Sequence, residues 1–148
     1  MSGVSEHFAI PAWQSASTAQ VPASASTGFA GRGLPDVAAV ADGLTGYYQF
    51  INGQTITDGG TSAATPLWAG LIARANQYLP QATPGARVGY WNPVLYQSIG
   101  PAAGVFHDIV TGNNDALGNL NGAYPAAPGW DPCTGWGTPQ GTALLAAL

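Results

Sequence analysis

Hydrophobic and polar positions divide this chain into stretches of different period. From Ala63 to Leu79, "AATPLWAGLIARANQYL", apolar residues fall on nearly every side until Arg74. Such a run predicts a central helix enclosed by protein, with Pro66 accommodated in its first turn. "LPDVAAVAD", Leu34 to Asp42, is short, mostly apolar and bounded by Pro35 and Asp42-Gly43, the pattern of a strand buried on both faces. In "GYYQFINGQTIT" two β-prone runs flank Asn52-Gly53, which suits the positive-φ pair of a type I′ hairpin turn. Short helices are predicted at "NPVLYQSI" and "PQGTALLAAL", and residues 14–33, rich in small and turn-forming residues, read as a surface loop. There is no internal repeat or low-complexity block.

Composition narrows the function classes. At 148 residues the chain has the length of one domain and can bury roughly two thirds of the surface its unfolded form exposes. Apolar residues make up 46% and charged residues 7%, with three arginines and no lysine. Nucleic acid is excluded as a partner, because nothing here could neutralise a row of phosphates. The net charge of −4 is spread along the chain; a protein with few ion pairs loses little when its carboxylates protonate, so acid tolerance is expected. The one cysteine, Cys133, forms no internal disulfide framework. The N-terminal stretch lacks the pattern of a signal peptide and no apolar run is long enough for a membrane span.

The candidate chemistry centres on Ser62 in "DGGTSAATPLWAG". Gly59 and Gly60 permit a sharp bend, and a serine opening a helix sits among free amide N–H groups that favour developing negative charge. On position alone, a serine there is more often a helix cap than a nucleophile. Asp58, close in sequence, is badly placed to reach Ser62 along an extended turn. Thr61 is expected to make local hydrogen bonds.

The wider motif set decides between these readings. "GGTSAATPLWAG" resembles the Gly-Thr-Ser-x-x-x-Pro nucleophile segment of the subtilisin-like clan. The subtilisin branch pairs that serine with an upstream His-Gly-Thr histidine, which His7 in "SEHFAI" does not match, and His107 lies downstream. The set "GRGLPDVAAVADGLTGYYQFINGQ", "GGTSAATPLWAGLIA", "NPVLYQ", "FHDIVTGNND" and "GWDPCTGWGTPQG" is instead similar, over nearly the whole chain, to the C-terminal part of the catalytic domain of sedolisins, the serine-carboxyl peptidase family that includes the kumamolisins.

The resemblance implies an α/β, subtilisin-like fold, a parallel sheet sandwiched by helices, of which residues 1–148 would be the C-terminal portion. It implies an extracellular endopeptidase acting on peptide or protein substrates at acidic pH, with Ser62 as nucleophile. The family's base is a glutamate oriented by an aspartate four residues on, and a protonated aspartate serves the oxyanion; both motifs lie upstream of the matched region. Glu6 is followed four residues on by Ile10, not aspartate, so Ser62 alone carries over. An upstream half, or self-association, is the expected way of covering the sheet edge and helix flanks.

The resemblance also implies a structural calcium ion held by Asp108, Ile109, Ala127, Gly129 and Asp131, the aspartates through carboxylates and the others through carbonyls. The residues fit the ion's preference for six to eight oxygens, although aspartates in glycine-rich loops are ordinarily plain turns and the spacing is not that of an EF-hand. The alternative function is a non-catalytic, calcium-stabilised α/β module in which Ser62 only caps a helix. Asp36 is expected to be structural, satisfying nearby backbone amides. Trp68, Trp130 and Trp136 are expected to pack, and Cys133 to be buried and inert.

Overall fold

The computed structural model describes residues 3–115, 117–118 and 121–148. It divides into two compact units, one formed by Met1–Ala38 with Gly89–Leu148 and the other by Ala39–Val88.

In the first unit, β1 (Gly3–Ala9) runs antiparallel to β2 (Gly31–Leu34), pairing Gly3 with Leu34 and Ala9 with Gly31 across a bulge. Between them come the short helix α1 (Ala12–Ser15) and an irregular stretch. Residues 14–33, expected as a surface loop, are exposed over most of their length, but they include the end of α1 and most of β2, and Gln14, Ala19 and Ser24 are buried.

The centre of the unit is Tyr96. It lies in a π-helical turn, Leu95–Ile99, that continues a first helical segment over Asn92–Val94, so the helix expected at "NPVLYQSI" forms. Tyr96 is fully buried, and Trp13, Trp130 and Trp136 surround its ring at centroid distances of 4.9, 6.4 and 6.0 Å. Gly100 ends the turn, and any side chain there would collide with the indole of Trp136.

A buried phenol needs partners, and Tyr96 has two. Its hydroxyl donates to Asp36 at 2.8 Å and accepts from the Gln14 amide at 2.8 Å. Gln14 also donates to the Gly33 carbonyl and accepts from the Gly33 amide. Asp36 is gripped by both Arg32 guanidinium bonds at 2.8 Å and by Asn92 at 3.1 Å. Arg32 in turn lies 5.3 Å over the Trp13 ring. Asp36 is therefore structural as expected, but it acts through side chains rather than backbone amides. The unit closes with β5 (Phe106–His107) paired to β6 (Thr138–Pro139) and with a last helix over Gly141–Ala147, whose Leu144 is buried.

In the second unit the hairpin forms as its sequence predicts. β3 (Tyr47–Ile51) and β4 (Gln54–Asp58) pair in register from Tyr47 opposite Asp58 to Ile51 opposite Gln54. Asn52 and Gly53 both take positive φ, 52° and 79°. A 22-residue helix over Thr61–Ala82 follows. Pro66 is its sixth residue, beyond the first turn where it was expected, so the helical bond that a residue-66 amide would give the Ser62 carbonyl cannot form.

Two further expectations differ. Residues 35–42 pair with no strand, and the strands among the described residues form three two-stranded antiparallel sheets, so these residues build no parallel sheet among themselves. Extended chain becomes a strand only when a neighbour takes its hydrogen bonds. The Thr61–Ala82 helix, apolar on most sides, buries only Ala64, Ala75 and Leu79, while Leu67 and Tyr78 stay 47% and 48% exposed. An apolar pattern states what a helix can bury, not whether a cover is present.

Replacing Tyr96 by phenylalanine leaves Gln14 and Asp36 each short of a buried partner. Urea unfolding of Tyr96→Phe is expected to show a loss of about 1–3 kcal/mol. Burial, reinforced by the charge of Asp36, holds the Tyr96 hydroxyl well above its ordinary value of 10.0. Its contribution to stability is thus complete below pH 10 and declines as pH rises further; the phenylalanine variant should show a shallower alkaline decline.

Candidate functional site

Ser62 is positioned by the turn before it. Gly60 occupies the N-cap at φ 103° and ψ 156°, a conformation open to glycine and strained for other residues. A Cβ at Gly59 would lie 2.5 Å from the Asp42 carbonyl oxygen. The Gly60 amide donates to the Ala41 carbonyl at 2.7 Å, and the Gly59 amide to the Asp58 carboxylate at 2.8 Å. Asp58 thus secures the bend itself.

The helix starts with no side-chain cap. Ala63 and Ala64 direct their amides to the Gly60 carbonyl, whereas among the described residues the Thr61 and Ser62 amides have no hydrogen-bond acceptor. Ser62 is exposed, stands one residue beyond the first helical position, and its hydroxyl caps nothing. Its surroundings can stabilise an anion, but residues 39–88 contain neither histidine nor glutamate, and their carboxylates are engaged elsewhere, Asp42 by Thr45 and Asp58 by the Gly59 amide. His7 and His107 are exposed on β1 and β5, and Glu6 accepts a hydrogen bond from Ser24 at 3.0 Å.

A second site lies in the first unit, where two loops meet. The Gly112 carbonyl takes the Ala126 amide at 2.9 Å, and Asn113 bridges Pro125. The five residues singled out for a cation lie in these two loops. Asp108 accepts from the Gly129 amide at 2.8 Å and Asp131 from the Ala127 amide at 3.0 Å, while the Thr134 hydroxyl lies 3.5 Å from the Ile109 carbonyl oxygen. A cavity of about 960 Å³, lined in part by Asp108, Ala127, Gly129 and Asp131, gives solvent access.

Asp131 is 2% exposed and accepts further amide bonds from Cys133 at 2.9 Å and Thr134 at 2.7 Å. A buried carboxylate is costly without a compensating charge, yet among the described residues the ion pair formed is Arg32 with Asp36, not one to Asp108 or Asp131. Two carboxylates and neighbouring carbonyls make an all-oxygen donor set that fits a hard cation such as calcium. No three His, Cys, Asp or Glu side chains gather among the described residues, so a side-chain-only metal cage is not built there.

Cys133 is half-buried rather than buried, and its thiol contacts Asn114 at 3.3 Å. Burial first, and then the charge of Asp131, push that thiol up from its ordinary range, which makes it a poor nucleophile. Trp130 and Trp136 pack beside the loops, at 6% and 5% exposure. Sequence reasoning missed Thr134, although its place three residues after Asp131 is a familiar arrangement for a hydroxyl or amide meeting an Asp side chain.

No protein-family model matches the chain. It is 54% identical over 147 residues to kumamolisin of Bacillus sp. (strain MN-32), covering 99% of this chain and 25% of that protein. It is 36% identical over 159 residues to human tripeptidyl-peptidase 1, covering 99% of this chain and 27% of that protein. Among solved structures, Pseudomonas sedolisin, a serine-carboxyl proteinase complexed with two molecules of pseudo-iodotyrostatin, matches with a TM-score of 0.73 and 32% identity, over 98% of this chain and 35% of that one. The chain therefore spans about a quarter of the length of kumamolisin. It belongs to the sedolisin family, as a kumamolisin-like segment that corresponds to one part of its relatives.

Proposed function

We propose that this chain is the nucleophile-bearing and calcium-binding portion of a serine-carboxyl endopeptidase that hydrolyses peptide bonds at acidic pH. The observation that carries the reading is the exposed Ser62 hydroxyl, uncommitted to capping, at the mouth of a helix with free amides. The Ser62 oxygen attacks the peptide carbonyl, the amine leaves as the acyl-serine ester forms, and water hydrolyses the ester. The free Thr61 and Ser62 amides and the helix dipole face the negative charge that develops on the carbonyl oxygen.

The proton is taken elsewhere in this reading, since residues 39–88 offer no glutamate or histidine and their Asp42 and Asp58 are engaged by Thr45 and the Gly59 amide. In this reading the base is a glutamate oriented by an aspartate, and a protonated aspartate completes the oxyanion site. Both are supplied by the rest of the catalytic domain, consistent with the chain's match to a quarter of kumamolisin's length. One carboxyl must stay neutral while another is ionised, which sets an acidic working range. The same remainder would contribute the parallel strands and cover the exposed flank of the Ser62 helix. Secretion is the accompanying localisation; among the described residues no helix is long and apolar enough to cross a membrane.

The Asp108 and Asp131 carboxylates and the Ile109, Ala127 and Gly129 carbonyls would hold calcium, which would supply the positive charge that the buried Asp131 lacks and tie the two loops together. Its role is structural.

Three outcomes are expected. A fluorophosphonate probe should label Ser62 only after the preceding part of a kumamolisin-like catalytic domain is added, and Ser62→Ala should abolish the labelling. Titration calorimetry should detect one calcium ion per folded chain, with Asp131→Asn weakening binding by at least about tenfold. Alone, the chain should self-associate in light scattering, because Tyr48 and Phe50 are 85% and 76% exposed and Leu67 and Tyr78 are also left open to solvent.

A further inference from the structure

The Asp131 carboxylate and the Ile109 carbonyl both carry negative oxygen, and such oxygens repel when brought close together. One side chain among the described residues touches both. The Thr134 hydroxyl lies 3.2 and 3.3 Å from the two Asp131 oxygens and 3.5 Å from the Ile109 oxygen. The 2.7 Å bond from the Thr134 amide to Asp131 keeps the residue's backbone beside the carboxylate.

We infer that Thr134 is a positioning residue for cation binding, holding the Asp131 carboxylate and the Ile109 carbonyl at a common focus by placing a hydroxyl proton between them. This inference rests on the calcium reading above. Cys133 and Thr134 amides draw on one Asp131 oxygen and the Ala127 amide on the other, which fixes the carboxylate within its own loop. Nothing in that set reaches Ile109. Among the described residues Thr134 is the side chain that links this carboxylate to the Ile109 carbonyl, so it bears on the spacing of these two donors rather than on their number. Partners of this kind, which touch ligands without binding the ion, alter metal affinity by about 10–100-fold when removed.

The test compares the unmodified chain with Thr134→Val, which keeps the branched shape but not the hydroxyl, and with Thr134→Ser, which keeps the hydroxyl. Calcium affinity is read by calorimetry, and the calcium-induced rise in Tm by thermal unfolding. The expected result is a valine variant about 10–100-fold weaker in calcium affinity, with a smaller calcium-induced rise, and a serine variant close to the unmodified chain. A valine variant with lowered Tm but unchanged affinity would mean that Thr134 serves the fold alone, and would overturn the inference. If Thr134→Val does not fold, Thr134→Ala against Thr134→Ser decides it, since the pair differs by the hydroxyl alone; equal affinities would overturn the inference. Failure of the unmodified chain to bind calcium would instead remove the calcium reading, and this inference with it.

Discussion

A backbone bend that admits no side chain determines where the chain's chemistry can occur. Gly60 sits at φ 103°, and Gly59 is pressed against the Asp42 carbonyl so closely that a methyl group would overlap it. Strand β4 therefore ends and the helix begins within two residues, and Ser62 emerges exposed beside two amides that the helix leaves free. The cap position that a serine would normally hold is taken by Gly60, which has no side chain to meet those amides. Pro66 adds to this by withholding an amide from the Ser62 carbonyl, so the first turn is less tightly bonded around the serine than a helix interior would be.

The other unit is organised by a buried polar cluster. Tyr96 joins Gln14, Asp36, Arg32 and Asn92 in one network wrapped by three indoles. Each member is costly if orphaned and inexpensive while satisfied, so the cluster specifies one arrangement. Trp130 belongs both to this cluster and to the loop of Asp131, and its indole N–H donates to the Pro35 carbonyl at 3.1 Å. Packing thus connects the core to the loops proposed to hold calcium.

What could be read from the sequence was local. Asn52-Gly53 announced the hairpin because two positive φ angles leave few other residues available, and the helices at Asn92 and Gly141 followed from Pro placement and apolar spacing. Asp108 and Asp131 were legible only through the resemblance; their two loops do meet, through the bond from the Gly129 amide to Asp108. Long-range facts were not legible. Nothing in "GRGLPD" shows that Arg32 will grip Asp36 while Gln14 and Tyr96 arrive from 22 residues before and 60 after. The expected strand over 34–42 and the enclosed helix failed for a related reason: both patterns describe surfaces that need a neighbour, and a neighbour is not a property of the segment itself.

The central claim is that Ser62 is aimed at a bound polypeptide and becomes acylated by it. It is tested most directly by incubating the chain, joined with the remainder of a kumamolisin-like catalytic domain, with a peptide ester at acidic pH. The mixture is then quenched in acid and the fragment between Arg32 and Arg74 sequenced by mass spectrometry. The account predicts one acyl group on Ser62; turnover of the ester with Ser62 never modified would contradict it.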